Sequence, residues 1–253
     1  MDLTCLTYEI LFFLFLIALL AGFLDTLAGG GGLLTIPALM LSGMGPLAAL
    51  ATNKFQCTFG TATASLMLLR QKRICWHNVK FLMLTAFIGS AIGTLIVQFI
   101  NAEVLNFVIP IVILLIGVYF LISPSSLNEQ RQARISKAHY RRYVMPLIGC
   151  YDGMFGPATG SFFTLAGRTL QGLPFLEATA TAKALNFATN IASLTVFLFA
   201  GQIVWLAGAC MLLGQLFGAW LGAHCLYKIP VNVIRYLVVL MCFAMLIKFL
   251  VTL

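Results

Sequence analysis

Apolar residues run along this chain in blocks long enough to cross a bilayer, which takes about 20 residues of helix. Such blocks lie near residues 9–28, 46–69, 79–100, 104–122, 143–166, 175–200, 203–226 and 231–252. The polar punctuation between them is short, and only SPSSLNEQRQARISKAHYRR, from Ser123 to Arg142, reads as aqueous loop. The pattern predicts an all-α, polytopic integral membrane protein. Its two membrane segments, 1–122 and 143–253, are joined by a basic linker at 123–142.

Composition agrees: of 253 residues, 61% are hydrophobic and 9% charged, against about 25% charged in an ordinary soluble domain. No room is left for a soluble catalytic domain, and no cofactor or metal is expected. The first block starts from Asp2 and Glu9, without a basic flank or an A-x-A site, so it is read as a retained helix rather than a signal peptide. The formal charge of +8 sits in short loops beside the apolar blocks. That is the signature of cytoplasmic loops in contact with a bilayer, not of nucleic-acid binding. Seven cysteines (Cys5, Cys57, Cys75, Cys150, Cys210, Cys225 and Cys242) are scattered without a C-x-x-C and are read as small hydrophobes. His77, His139 and His224 are too far apart in sequence to suggest a site.

Laid on itself, the chain shows a second copy about half a length later. GFLDTLAGG (Gly22 to Gly30) matches GCYDGMFGP (Gly149 to Pro157), which puts Asp25 over Asp152. After a two-residue insertion the register holds: Thr35 over Thr164, Gly43 over Gly172, Lys54 of ATNK over Lys183 of ATAK, and Trp76 over Trp205. The G-x-x-x-G pair Gly89/Gly93 falls over Gly218/Gly222, and both are read as close helix packing.

Loop charge swaps sides between the copies. Arg70, Lys72, Arg73 and Lys80 flank one turn of the first copy, and the matching turn at Gly201 and Gln202 has no charge. The turn near Asn101 to Glu103 is acidic, whereas its counterpart holds Lys228 and Arg235. Under the positive-inside rule this is an inverted repeat. Each half then has four clear spans, and inversion needs an odd number of crossings. The missing ones are assigned to segments near Leu33–Leu41 and Phe162–Leu170, as full crossings or re-entrant half-helices. The linker would be cytoplasmic and both termini external.

Glycines 29–32 interrupt the apolar chain between the first block and Leu33–Leu41. Irregular backbone at membrane depth is tolerated only where protein or a water-filled cavity satisfies it. A helix restarting near Leu33 points its positive N-terminal end at the break, and the second copy offers Gly156, Thr159, Gly160 and Ser161 in the same role. Two such ends would make an anion site; the other reading is that the glycines only let helices approach. Lys54 and Lys183 lie about 8 residues, or about 12 Å, into their spans, where a charge costs on the order of 3 kcal/mol. With Gly29, Gly30, Gly31, Gly32, Asn53, Gln56, Asn186 and Asn190 they form the candidate substrate site. Alternatively each lysine snorkels or pairs with the aspartate of its own half. Alanine at either lysine is expected to lower anion affinity and leave insertion intact. Asp25 and Asp152 could carry protons, coordinate a cation or neutralise the lysines, so a coupling ion, proton or sodium, is expected to act there.

DTLAGGGGLLTIPAL…ALATNKFQ followed by YDGMFGPATGSFF…ATAKALNFATN resembles the sulfite exporter TauE/SafE family of membrane permeases, over essentially the whole chain. The resemblance implies a secondary transporter in the cytoplasmic membrane moving sulfite, organosulfonates or related small anions. An anion channel is the alternative. An intramembrane aspartyl protease built on Tyr151–Asp152 and Asp25 is a weaker one, because its Gly-x-Gly-Asp element is absent.

Overall fold

The computed structural model describes residues 7–122 and 132–225. The predicted span at 231–252, Lys228, Arg235, the extreme termini and linker residues 123–131 lie outside the described residues. Among those described, the structure is all-helical. Helix α1 (Tyr8–Ala28) ends at a break and is followed by the short α2 (Gly32–Leu41), then α3 (Pro46–Arg70), α4 (Trp76–Val97) and α5 (Ala102–Ile122). After the linker, a turn of helix (α6, Lys137–His139) and a π-turn (Tyr140–Val144) lead into α7 (Met145–Met154). A second break precedes α8 (Thr159–Gln171), α9 (Phe175–Ala200) and α10 (Trp205–Cys225).

Four described helices are long and apolar enough to cross a membrane: Tyr8–Leu27, Trp76–Val97, Phe175–Ala200 and Trp205–Cys225. Helix α3 has 25 residues but is less apolar, because Thr52, Asn53, Lys54, Gln56, Thr58 and Thr61 are buried along it. The run at 143–166, read from sequence as one span, is cut in two at residues 155–158. Pro157 has no amide hydrogen to continue a helix, and Gly156 (φ +88°) and Ala158 (φ +58°) turn the backbone left-handed. At about 1.5 Å per residue, the 10 residues of α2 and the 13 of α8 are too short to cross about 30 Å of hydrocarbon.

The closest helix pairings are α1 with α10 and α4 with α7, and α3 and α9 fill the space between them. Small residues make these contacts backbone to backbone. A Cβ on Gly89, Gly93, Gly149 or Gly153 would collide with a carbonyl oxygen across the α4/α7 seam, and one on Gly214 or Gly218 with a carbonyl oxygen of α1. Such contact favours dispersion and weak Cα–H···O bonds where lipid supplies no hydrophobic drive between helices. The outer surface carries large apolar side chains such as Phe12, Leu16, Leu84, Ile88, Leu95, Leu213 and Phe217. Trp76 and Trp205, which open α4 and α10, are half exposed, as interfacial anchors are.

Candidate functional site

The first break begins where Gly29 takes φ +81° and its N–H returns to the Asp25 carbonyl at 2.7 Å. One turn back, the Asp25 carboxylate reaches over the break and accepts the Gly31 N–H on Oδ1 at 3.2 Å. The carboxylate therefore faces the start of α2, where the helix dipole favours negative charge. In the second break, Asp152 Oδ1 lies 2.7 Å from the Thr159 hydroxyl in the first turn of α8, and the Tyr151 hydroxyl donates to the Pro157 carbonyl at 2.8 Å. The sequence leads to an expectation that the starts of the two short helices make an anion site; in the structure an aspartate of the chain faces each of them.

The two breaks pack on each other. A Cβ on Gly29 would overlap the backbone of Gly160, and one on Gly160 would lie 2.6 Å from Gly29 Cα and 3.3 Å from Lys183 Nζ. A Cβ on Gly32 would lie 3.4 Å from the Gly156 carbonyl oxygen, and one on Gly156 lies 3.4 Å from Lys54 Nζ. Both glycine runs thus converge on one place, beside both lysines. Ser161 is buried in the first turn of α8.

The charges pair across the chain. Lys54 Nζ of α3 lies 2.8 Å from Asp152 Oδ1 of α7, and Lys183 Nζ of α9 lies 3.3 Å from Asp25 Oδ2 of α1. Lys183 also donates to the Asp25 carbonyl oxygen. The alternative drawn from sequence, pairing within each half, is not what forms: each lysine meets the aspartate of the opposite half. All four groups are 6% exposed or less. Two ammonium and two carboxylate groups bring the local charge to zero. Separating either pair would strand a charge where water cannot solvate it.

The asparagines and glutamine fall into two groups. Asn190 does not serve Lys183 on its own helix; its Oδ1 accepts from Lys54 Nζ at 3.2 Å and its amide faces Thr61 at 3.4 Å. Asn186 is buried on α9 with no side-chain contact to either lysine described. Asn53 and Gln56 belong to a neutral cluster that adjoins the charged groups through Cys57. Asn53 Oδ1 accepts from the Thr35 hydroxyl at 2.5 Å, from the Gln56 amide at 2.9 Å and from the Cys57 thiol at 3.4 Å. Gln215 of α10 approaches Cys57 Sγ at 4.0 Å. Thr35, Cys57, Thr61 and Gln215 were missed as site residues. A lone glutamine in an apolar helix was the available signal for Gln215, and the match of Thr35 with Thr164 for Thr35. Nothing local marked Cys57. In this geometry Asp25 and Asp152 each face a lysine rather than one another, so they do not form a proton-sharing dyad.

The family model "Sulfite exporter TauE/SafE" matches residues 14–249. A "Probable membrane transporter protein" of Haemophilus influenzae is 43% identical over 237 residues, covering 94% of this chain and 93% of the relative. The "Probable membrane transporter protein YfcA" of Escherichia coli K12 is 43% identical over 227 residues, covering 90% and 84%. The "Probable membrane transporter protein ORF9" of a Sinorhizobium species is 38% identical over 245 residues, covering 97% and 94%. No solved structure matches the chain.

Proposed function

The chain belongs to the sulfite exporter TauE/SafE family of membrane transporters, and we propose that it is a secondary carrier of a small anion such as sulfite, an organosulfonate or a related organic anion. It is a multi-pass membrane transporter and not an enzyme. One observation carries the anion reading: the only buried lysines among the described residues, Lys54 and Lys183, meet the two helix breaks at one point between the halves. Buried ammonium groups beside interrupted backbone suit an anion that enters by displacing an ion pair.

The paired geometry also supports an inverted repeat. Exchanging α1 for α7, α3 for α9 and α4 for α10 turns the α1/α10 contact into the α7/α4 contact. The same exchange turns the Asp25–Lys183 pair into the Asp152–Lys54 pair. In this reading α2 and α8 are re-entrant half-helices, the Arg70–Lys80 loop and the linker are cytoplasmic, and the Gly201 turn and both termini are external. Alternating access would come from rocking one half against the other around the crossed pairs.

Two measurements test this. Proteoliposomes loaded with unlabelled sulfite, methanesulfonate or a short carboxylate should take up the labelled form of the transported anion by counterflow. Uptake without counterflow means a pore, and no flux of any probe removes the anion assignment. For topology, Cys75 is exposed in the Arg70–Lys80 loop and serves as a native label. It should react with an impermeant maleimide only in inverted vesicles. A cysteine introduced by Gly201→Cys in a Cys75→Ser background should react only in right-side-out vesicles. Labelling of both from one side would mean parallel halves.

A further inference from the structure

The two ion pairs are alike in residue type but not in hydrogen bonding. Both carboxylate oxygens of Asp25 have donors: Gly31 N–H on Oδ1 and Lys183 on Oδ2. On Asp152 both donors, Lys54 and Thr159, converge on Oδ1. Asp152 Oδ2 is fully buried and has no hydrogen-bond partner among the described residues. A charged oxygen left that way bears the full desolvation penalty of an unmade buried hydrogen bond. A proton on that oxygen removes the charge from it and leaves the Oδ1 contacts in place.

We propose that Asp152 is the proton-binding group of the transport cycle and Lys54 the anion contact it releases, while Asp25–Lys183 is a fixed strut between α1 and α9. This rests on the site being an anion site. With Asp152 ionised, the local charge is balanced and Lys54 is held. When Oδ2 takes a proton, Asp152 becomes a neutral acid and Lys54 is left as an uncompensated buried cation, a state that is costly by itself. A univalent anion arriving at Lys54 restores neutrality. Proton and anion therefore load together, one for one, each raising affinity for the other. Around Asp152, α3 presents Lys54 and the Cys57 thiol, α8 presents Thr159, and α9 reaches it through Asn190 on Lys54. Helix α4 brings the Thr94 hydroxyl to the Gly153 carbonyl of α7 and turns the Ser90 hydroxyl to Thr189 and Ser193 of α9, and Tyr151 is the neighbouring titratable group on α7 itself. Lys54 is the described charge in direct contact with Asp152, and the Asp25–Lys183 pair lies beyond it, close enough that both pairs surround the Cys57 thiol.

The test has an arm that needs no substrate. Infrared difference spectra of the purified protein, titrated from alkaline to acid pH, should contain a protonated-carboxyl band. It should vanish in Asp152→Asn, shift in Asp152→Glu and persist in Asp25→Asn. Should Asp152→Asn fail to fold, the shift in Asp152→Glu decides the assignment. In the second arm the probe is methanesulfonate, which does not itself titrate in this range. Its affinity should fall about tenfold per pH unit on the alkaline side, the slope for one linked proton, and become independent of pH in Asp152→Asn. A band that survives Asp152→Asn, a band that disappears in Asp25→Asn, or no band at any pH overturns the proposal. If the Asp152 band titrates but methanesulfonate, sulfate and sulfite all fail to bind, the proton site stands and the anion reading falls.

Discussion

Lys54→Ala will destabilise the folded protein by about 3–5 kcal/mol while Asp152 is ionised, the usual cost of removing one partner of a buried pair, and by less at acid pH where Asp152 takes its proton. It strands the Asp152 carboxylate, which is 1% exposed and keeps only the Thr159 hydroxyl. The variant should therefore show a much lower melting temperature in detergent and poor recovery as a monodisperse species. This revises the expectation from sequence that alanine would be tolerated because it is cheaper in lipid than lysine. That expectation priced the lysine alone, and the fold has tied it to an acid. The double variant Lys54→Met with Asp152→Leu removes both charges and should fold within a few kcal/mol of the native protein, on either side. Transport should be absent in both, so the pair of variants separates the structural role of the ion pair from its role toward substrate. A double variant that still carries anions at native rate would move the substrate path elsewhere.

Gly29→Ala should be among the most damaging single substitutions in the chain, with a loss of about 3 kcal/mol or more. Two costs combine there: a left-handed backbone at φ +81° and a methyl driven into the Gly160 backbone. Gly160→Ala isolates the second cost, since its Cβ would meet Gly29 Cα at 2.6 Å and no left-handed backbone is involved. Gly43→Ala isolates the first, because Gly43 has φ +87° and nothing within 4 Å of an added Cβ. It should cost about 1–2 kcal/mol. Thermal unfolding of the three variants, with counterflow on those that fold, gives the ranking Gly29 and Gly160 well above Gly43. If Gly43→Ala proves as harmful as Gly160→Ala, the contact between the breaks is not what holds the centre together.

Lipid makes some features readable from sequence, because it penalises every unpaired polar group. Four glycines, an aspartate and a lysine inside apolar blocks could persist only where protein surrounds them, and Asp25, Lys54, Asp152 and Lys183 are all buried. The ends of α1, α3, α9 and α10 follow the apolar blocks to within a few residues, since a helix is the one way a single segment satisfies its own backbone. Hydropathy alone runs the block at 143–166 through as one span, because it does not register a Gly-Pro turn whose neighbours are apolar; the match to the first copy is what marks the break at Gly156.

What the sequence determined by itself was therefore local: which segments are apolar enough to enter a membrane, where they break, and which polar residues are too costly to face lipid. The tertiary structure alone decided who meets whom. Lys54 and Asp152 are nearly a hundred residues apart, and their identities are equally consistent with pairing inside a half. Only the packing of α4 on α7 and α1 on α10 brings each acid to the opposite lysine. The same holds for Asn190, which turns to Lys54 rather than to Lys183 on its own helix, and for Gln215, which reaches Cys57 from α10. It holds most of all for Asp152 Oδ2, whose lack of a donor comes from where every neighbouring group has been placed. Hydropathy is a property of each residue in turn, but ion-pair partners and orphaned atoms are properties of distance, which exists only once the helices have packed.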